Sequence, residues 1–313
     1  MTAPQAALPA QRRLSRGLFG ALVAYLLLLP FPPLLLFGPL AGILAVSRPA
    51  TVREWLWLGL AALVAGLALA AAPSAMTQEV SLAFAAMFTG AFVALLVWQR
   101  GPVLRQAALA AILAALAVGV GGAILGISWA GLVGAFRDQL QLSLAAVMHE
   151  AALPAEQAAA ARDVVDLIAR IYPGLAVLGA MVGGTLAAAV AHRIAGRPAT
   201  PAPGRFREFR FNDHLIWGAL ATFGVFMLPL PSPWGEVLAN AMVVWSGLYL
   251  ARGLAVAADI MAPWPVVPRV ALFLSAVLLL RYALGVILLA GVADTWIDIR
   301  RALRPSPSGG SES

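Results

Sequence analysis

The feature that most constrains this chain is where its charges are missing. Seven stretches of twenty or more residues, 17–47, 55–78, 80–99, 106–136, 171–192, 215–235 and, with Arg252 as an interruption, 237–258, hold no other charged side chain. Crossing a bilayer as a helix takes about 20 such residues, whereas a barrel strand takes about 10 with strict alternation. The chain therefore reads as a multi-pass helical membrane protein. Its 11% charged residues, against about 25% in soluble domains, exclude a soluble globular fold.

Arg12, Arg13 and Arg16 ahead of an apolar run imitate a secretory signal, but no small-residue cleavage site follows Tyr25 to Pro33. The expectation is a retained first span. As one helix, 17–47 would be about 46 Å long against a hydrocarbon core of about 30 Å. Pro30-Phe31-Pro32-Pro33 in its middle cannot remain regular helix. Two short helices, about 18–30 and 34–46, are expected instead, followed by spans at 55–72, 80–98, 106–127, 172–192, 213–230 and 237–258.

The arginines then sort by side. Arg12, Arg13, Arg16, Arg48, Arg53, Arg100, Arg105, Arg193, Arg197, Arg205, Arg207 and Arg210 share one side, and only Arg137, Arg162 and Arg170 fall on the other. The richer side is the cytoplasmic one, which places the N-terminus inside a bacterial cytoplasmic membrane. A single last span at 270–293 would put Arg300, Arg301 and Arg304 outside. Two half-spans meeting at Arg281-Tyr282 would return the tail to the cytoplasm, and this hairpin is the preferred expectation. Trp55, Trp57, Trp98, Trp129, Tyr172, Trp217, Trp234, Trp264 and Trp296 all fall near expected interfaces.

The one sizeable polar insertion is 128–170. Phe136, Leu140, Leu144, Val147 and Met148 share a helical stripe there, and Val164, Ile168 and Ile171 share another beyond Ala151-Ala152-Leu153-Pro154. Together they predict an amphipathic helical hairpin on the outer face, either a cap over helix ends or a lid over a ligand site. The whole is expected to be an all-α transmembrane helix bundle of about eight to ten spans or half-spans, one integral membrane domain over 1–304. The Pro-rich stretch Pro198 to Gly204 is read as a loop, and 305–313 as a disordered tail.

The chain has no cysteine and all 21 basic residues are arginine. That excludes disulfides and thiolate sites, Schiff-base lysines and a Walker A lysine, so any ATP-driven work would need a separate subunit. The +7 net charge is scattered in short clusters beside apolar runs, which fits membrane orientation and not nucleic acid. His149-Glu150 opens like a zinc-protease motif, but Leu153 stands where its second histidine belongs. His192 and His214 are dispersed, and Ser246-Gly247 lacks the leading glycine of a hydrolase elbow. No catalytic residue, metal or cofactor is expected. Asp163 with Asp166 reads as a solvated pair; Asp294 and Asp298 share a helix face, where two carboxylates can bind Mg²⁺ beside a phosphate, and the preferred reading pairs Asp298 with Arg300 and Arg301.

Charges inside spans carry more information. Arg252 and Arg281 interrupt apolar runs, and an arginine at mid-bilayer costs about 2.5–3.5 kcal/mol, so it faces a bundle interior or an aqueous cavity. Asn240, Trp245, Tyr249 and Arg252 step along one helix and, with Arg281, form a candidate substrate-binding wall. The alternative is that Arg252 snorkels, or pairs with Asp259. Arg205, Arg207 and Arg210 in the 193–214 loop are candidates for binding a partner or anionic lipid. Gly20 with Ala24, Gly119, Gly121, Gly122 and Gly126, and Gly179, Gly183 and Gly184 read as close-packing positions.

Three segments resemble the YybS-like family of uncharacterised bacterial membrane proteins: Phe206-Arg-Glu-Phe209-Arg-Phe211-Asn-Asp213-His214 leading into Leu215-Ile216-Trp217; Leu248-Tyr-Leu-Ala-Arg252-Gly253-Leu254; and Gly291-Val-Ala-Asp294-Thr-Trp296-Ile-Asp298-Ile-Arg300. The long insertion and proline-split start are similar too. That family carries no established activity, so no residue role transfers. Its layout is similar to the substrate-binding membrane subunits of energy-coupling-factor vitamin transporters, and more distantly to envelope proteins of the MreD type. That likeness is one of fold, which hosts more than one function; the in-span Arg252 and Arg281, the aromatic pair Trp245 and Tyr249 and the outer hairpin make a small-molecule-binding or transport subunit without its own ATPase, working with a separate energising or envelope protein, the first expectation. The competing expectation is a non-transporting scaffold whose arginine loop docks its partners. An intramembrane enzyme has only Asp294 and Asp298 behind it.

Overall fold

A computed structural model describes residues 33–70, 76–99, 101–151, 155–196, 204, 206–231 and 234–302, excepting the side chains of 143 and 146–158. The expected helix at 18–30, Leu153, most of the Pro-rich stretch, Arg205 and the tail lie outside the described residues. The described residues form eleven α-helices: α1 (Leu34–Val46), α2 (Val52–Ala70), α3 (Met76–Trp98), α4 (Val103–Ile124), α5 (Trp129–Ala151), α6 (Ala155–Ile194), α7 (Leu215–Phe226), α8 (Trp234–Ile260), α9 (Val266–Leu278), α10 (Leu280–Ile297) and α11 (Ile299–Ala302), with a 3₁₀ turn at Phe206–Glu208. Among them α2, α3, α4, α6, α8 and α10 are long and apolar enough to cross a membrane, and α1, α7 and α9 are shorter apolar helices. The fold is an all-α, polytopic membrane architecture.

The helices group into two compact units, one of residues up to Ala169 with Ala176–Pro203, the other of Arg170–Leu175 with Gly204 onward. In the first, α1 packs on α2 and α3, and α3 on α4 and α5. Gly38 and Gly42 of α1 lie one turn apart, and a Cβ on them would stand 2.9 Å from Thr89 Oγ1 and 2.8 Å from Val93 Cγ2 of α3. Small residues at that spacing let two helices approach closely without a water-driven hydrophobic force. Phe84, Phe88 and Phe92 repeat every four residues along α3 and stack with centroids 6.5 and 5.5 Å apart. The Phe88 and Phe92 rings lie over Gly184 of α6. Gly119 and Gly121 of α4 have open space around them, so that part of the glycine-rich stretch packs against nothing among the described residues.

Thr51-Val52-Arg53-Glu54 starts α2 with a capping box. The Glu54 carboxylate accepts from the Thr51 and Ala50 amides at 2.9 and 2.7 Å, and the Glu54 amide donates to Thr51 Oγ1. The other Glu54 oxygen accepts from the Gly196 amide beyond α6. A carboxylate buried at 5% exposure thus meets three amides and ties two helix ends together. α5 and α6 run as a pair joined by Arg137 and Asp166 at 3.1 Å, with Gln141 donating to the same carboxylate. Val133 and Phe136 are buried on α5, as are Val165 and Ala169 on α6.

α6 differs from expectation. Its 40 residues run about 60 Å, joining in one helix what the sequence divides into a surface helix and a span at 172–192. Pro173 lies inside it, and a proline there deletes a backbone bond and strains the preceding turn. Asn240 of α8 repairs the ladder: its Oδ1 accepts from the Gly174 amide at 2.7 Å and its Nδ2 donates to the Arg170 carbonyl at 2.9 Å. The carboxamide is spliced into the i to i−4 bond that those two backbone groups would otherwise share. Gly174 is required there, because a Cβ would lie 2.6 Å from the Asn240 carbonyl.

In the second unit α8 packs against α7 and α10. The apolar run 266–297 breaks at Leu279, with φ −107° and ψ 34°, two residues ahead of Arg281-Tyr282. Arg281 is a regular helical residue of α10.

Candidate functional site

α8 and α10 cross antiparallel at a contact that only glycine allows. A Cβ on Gly253 would lie 1.8 Å from the Ile287 carbonyl oxygen, and one on Gly291 2.0 Å from that of Tyr249. Backbone touching backbone leaves the neighbouring long side chains no room but along the seam. Arg252 therefore extends along it to Asp294, and the two are 0% and 1% exposed.

Every nitrogen of the Arg252 guanidinium has an internal acceptor. Nε donates to Asp294 Oδ2 at 2.9 Å, Nη2 to the Asp294 carbonyl at 2.9 Å, and Nη1 to Asp213 Oδ1 at 2.7 Å. Its flat face lies over the Phe211 ring at 5.3 Å, and Phe211 meets Tyr249 edge-on at 5.1 Å. A planar fork matched to carboxylate and ring is what arginine supplies and lysine does not. Asp294 Oδ2 is also 3.6 Å from Arg300 Nη2 and 4.0 Å from Arg210 Nε, while its Oδ1 has no hydrogen-bond partner among the described residues. The hydroxyls of Tyr249 and Thr295 interact nearby, without an ordinary hydrogen bond.

Residues 206–213 form a strap across these helix ends. Along it Phe206 stacks on Phe209, and Phe209 meets Phe211 edge-on. Arg300 Nη1 and Nη2 donate to the strap's Arg207 and Phe209 carbonyls at 2.6 and 2.9 Å. Asp298 ends α10 in the left-handed region at φ 45°, which aspartate tolerates better than most residues, and it pairs with Arg210 Nη2 at 2.6 Å. That hydrogen bond holds the Asp298 carboxyl below its ordinary range and the Arg210 guanidinium above its own. Burial pulls the Arg300 guanidinium below its ordinary value, with Asp294 opposing. The strap and helix ends enclose a cleft of about 420 Å³ lined by Arg207, Glu208, Arg210, Asp298, Arg300 and Arg301. Among the described residues the Arg207 and Arg301 side chains have no carboxylate within ion-pair distance.

The expected substrate wall is thus divided among separate contacts. Arg252 and Tyr249 lie together in the seam, Arg252 taking Asp294 and Asp213 and not Asp259. Asn240 is committed to the α6 splice. Trp245 donates from Nε1 to Thr222 Oγ1 of α7 at 3.2 Å and covers Gly218. Arg281 does not join them; it is exposed, stacked on Tyr282 at 4.8 Å and donating to its hydroxyl. Arg207 and Arg210 belong to the cleft. Asp298 takes Arg210, with Arg301 contributing only its amide at 3.4 Å.

The residues that sequence reasoning left without a role are Asp213 and Phe211, and Arg300, expected to pair with Asp298, instead holds the strap carbonyls. The available signal was that they and Arg252 stand in the three segments quoted for the family resemblance, segments that converge here. A family model described as a predicted membrane protein, DUF2232, matches residues 18–295. The chain belongs to the DUF2232 family. The match includes Asp213, Arg252 and Asp294 and ends ahead of Asp298, Arg300 and Arg301. No curated protein and no solved structure matches this DUF2232 chain.

Proposed function

We propose that the protein is a non-enzymatic membrane scaffold that holds a negatively charged partner in the arginine cleft, with Arg252 as an internal clasp. The observation that carries this reading is the division of labour among the arginines. Each guanidinium nitrogen of Arg252 already has an internal acceptor and the residue is 0% exposed, so it is withdrawn from any ligand at the surface. The cleft keeps the charge that remains: four arginines against Glu208 and Asp298 line it. Arginine is the residue suited to bidentate recognition of phosphate or carboxylate. The positive-inside pattern favours a cytoplasmic cleft. A transport subunit with Arg252 in its binding wall is the reading this displaces.

The test is native mass spectrometry of the full chain from mild detergent, comparing wild type with R207Q/R301Q and with R252M. An anionic species, lipid or protein, is expected to co-purify with wild type and be lost from R207Q/R301Q at unchanged melting temperature. An uncharged small molecule that stays with R207Q/R301Q and leaves only a folded R252M protein would return the carrier reading.

A further inference from the structure

Resting on the scaffold reading, we infer that the cleft's occupant is the phosphate of an anionic membrane phospholipid. Three independent features of the same place lead there. The first is height. Asp298 directly follows α10, a helix apolar enough to cross a membrane, and Arg300 and Arg301 follow within three residues. Side chains just past the end of a span stand among lipid headgroups.

The second is the flank. Trp296, Ile297 and Phe206 adjoin the cleft residues in sequence and are 60%, 66% and 55% exposed. A tryptophan at a span end is at home against glycerol and upper acyl chain. A soluble phosphate or nucleotide has no use for such an apolar margin; a lipid covers it.

The third is the donor set. Arg300 is 7% exposed and its Nη groups are fixed on the Arg207 and Phe209 carbonyls. Its Nε is buried without a hydrogen-bond partner among the described residues, and a buried donor left unpaired is costly. Arg207 and Arg301 stand on the same cleft with exposed side chains. One fixed guanidinium and two mobile ones can surround a phosphodiester. Glu208 beside them disfavours a densely anionic ligand and can accept from a headgroup hydroxyl. A singly charged phosphodiester bearing a polyol fits that mixture.

The experiment reconstitutes the full chain into nanodiscs of phosphatidylcholine containing a minority of phosphatidylglycerol, and counts the lipids each protein retains. Wild type is expected to retain phosphatidylglycerol preferentially. Near an anionic surface each arginine is worth about 1 kcal/mol, or roughly fivefold, so R207Q/R301Q should lose about 25-fold in preference. R300Q should lose it too, and comparison of its melting temperature with wild type separates lost binding from lost folding. If phosphatidylglycerol is retained equally by R207Q/R301Q, the lipid binds elsewhere and the inference is overturned. Ready displacement of the lipid by inorganic phosphate would leave an anion site and remove the lipid from it. A protein occupying the cleft in its place would overturn the lipid and keep the scaffold. Absence of any cleft-dependent anion would sink both.

Discussion

Replacing Arg252 by methionine tests the clasp directly. The substitution keeps an unbranched side chain of similar reach and removes three donors from acceptors that are buried or close beside the seam. Breaking a buried ion pair from one side usually costs about 3–5 kcal/mol, because the remaining charge stays desolvated. Two features pull the expected cost toward the low end. Asp294 retains Arg300 Nη2 at 3.6 Å and Arg210 Nε at 4.0 Å, and Asp213 is 58% exposed and can turn to water. About 3 kcal/mol is therefore expected for R252M and a similar loss for D294N, which leaves Arg252 with Asp213 as its one carboxylate partner beside the backbone carbonyl of residue 294. In the double variant R252M/D294N neither charge remains unpaired in the seam. Its loss should fall short of the sum of the singles by more than about 1 kcal/mol, the usual sign of two residues in one network. The assay is reversible unfolding in mixed micelles with increasing denaturing detergent, followed by tryptophan fluorescence. A cost below about 1 kcal/mol for R252M, or singles that add within about 0.5 kcal/mol, would refute the clasp.

Ala at Gly253 or Gly291 puts a Cβ about 2 Å from a backbone oxygen, so the α8–α10 crossing must open. Each is expected to cost at least about 1–3 kcal/mol, whereas Gly119→Ala, with open space around it, should be neutral or gain up to about 1 kcal/mol; melting temperatures separate them. Asn240→Leu strands the Gly174 amide and the Arg170 carbonyl, at about 1–3 kcal/mol for each buried group left unpaired. Hydrogen exchange at 174–176 should quicken, and adding Pro173→Ala should slow it again by restoring the helix's own bonds. The Arg210–Asp298 pair sets an acid limb. Its folded carboxyl is held below the ordinary aspartate value, so its contribution is complete above about pH 3.9 and fades as pH falls through the lower folded value. Asp298→Asn should flatten that limb in melting temperature against pH, by a small and salt-sensitive amount given 40% exposure.

The membrane architecture was legible because it follows from segment-scale composition: an uncharged run of twenty residues has few other ways to be stable. The site was legible only in pieces. Arg252 stood out as a charge inside a span, and Arg207 and Arg210 as a basic loop, but their partners are 39 to 93 residues away along the chain. Helical periodicity reports neighbours one or two turns away on the same helix, so it points Arg252 toward Asp259, seven residues on, and Asp298 toward Arg301. The actual choice is made by the crossing at Gly253 and Gly291, and a glycine in a membrane helix does not announce which backbone it will touch. α6 went unread for a related reason: the polar insertion ending at Arg170 suggests a boundary ahead of the span, and the group that carries the helix through Pro173, the Asn240 carboxamide, comes from another helix.

The clasp and the cleft are also coupled through the strap. Asp213, at one end of the strap, is fixed by Arg252, and the carbonyls of Arg207 and Phe209 near its other end fix Arg300. Between them Phe211 lies against both Arg252 and Tyr249. The orientation of the cleft's one buried guanidinium is therefore set by a chain of contacts that starts at the buried pair. Membrane interiors give polar groups few alternative partners, so such a chain is rigid where a surface loop would not be. That rigidity matters for a site made of arginines, whose long side chains otherwise lose much entropy on binding. An internal charge pair is expensive to bury, and its return here is a strap held in one position over the helix ends.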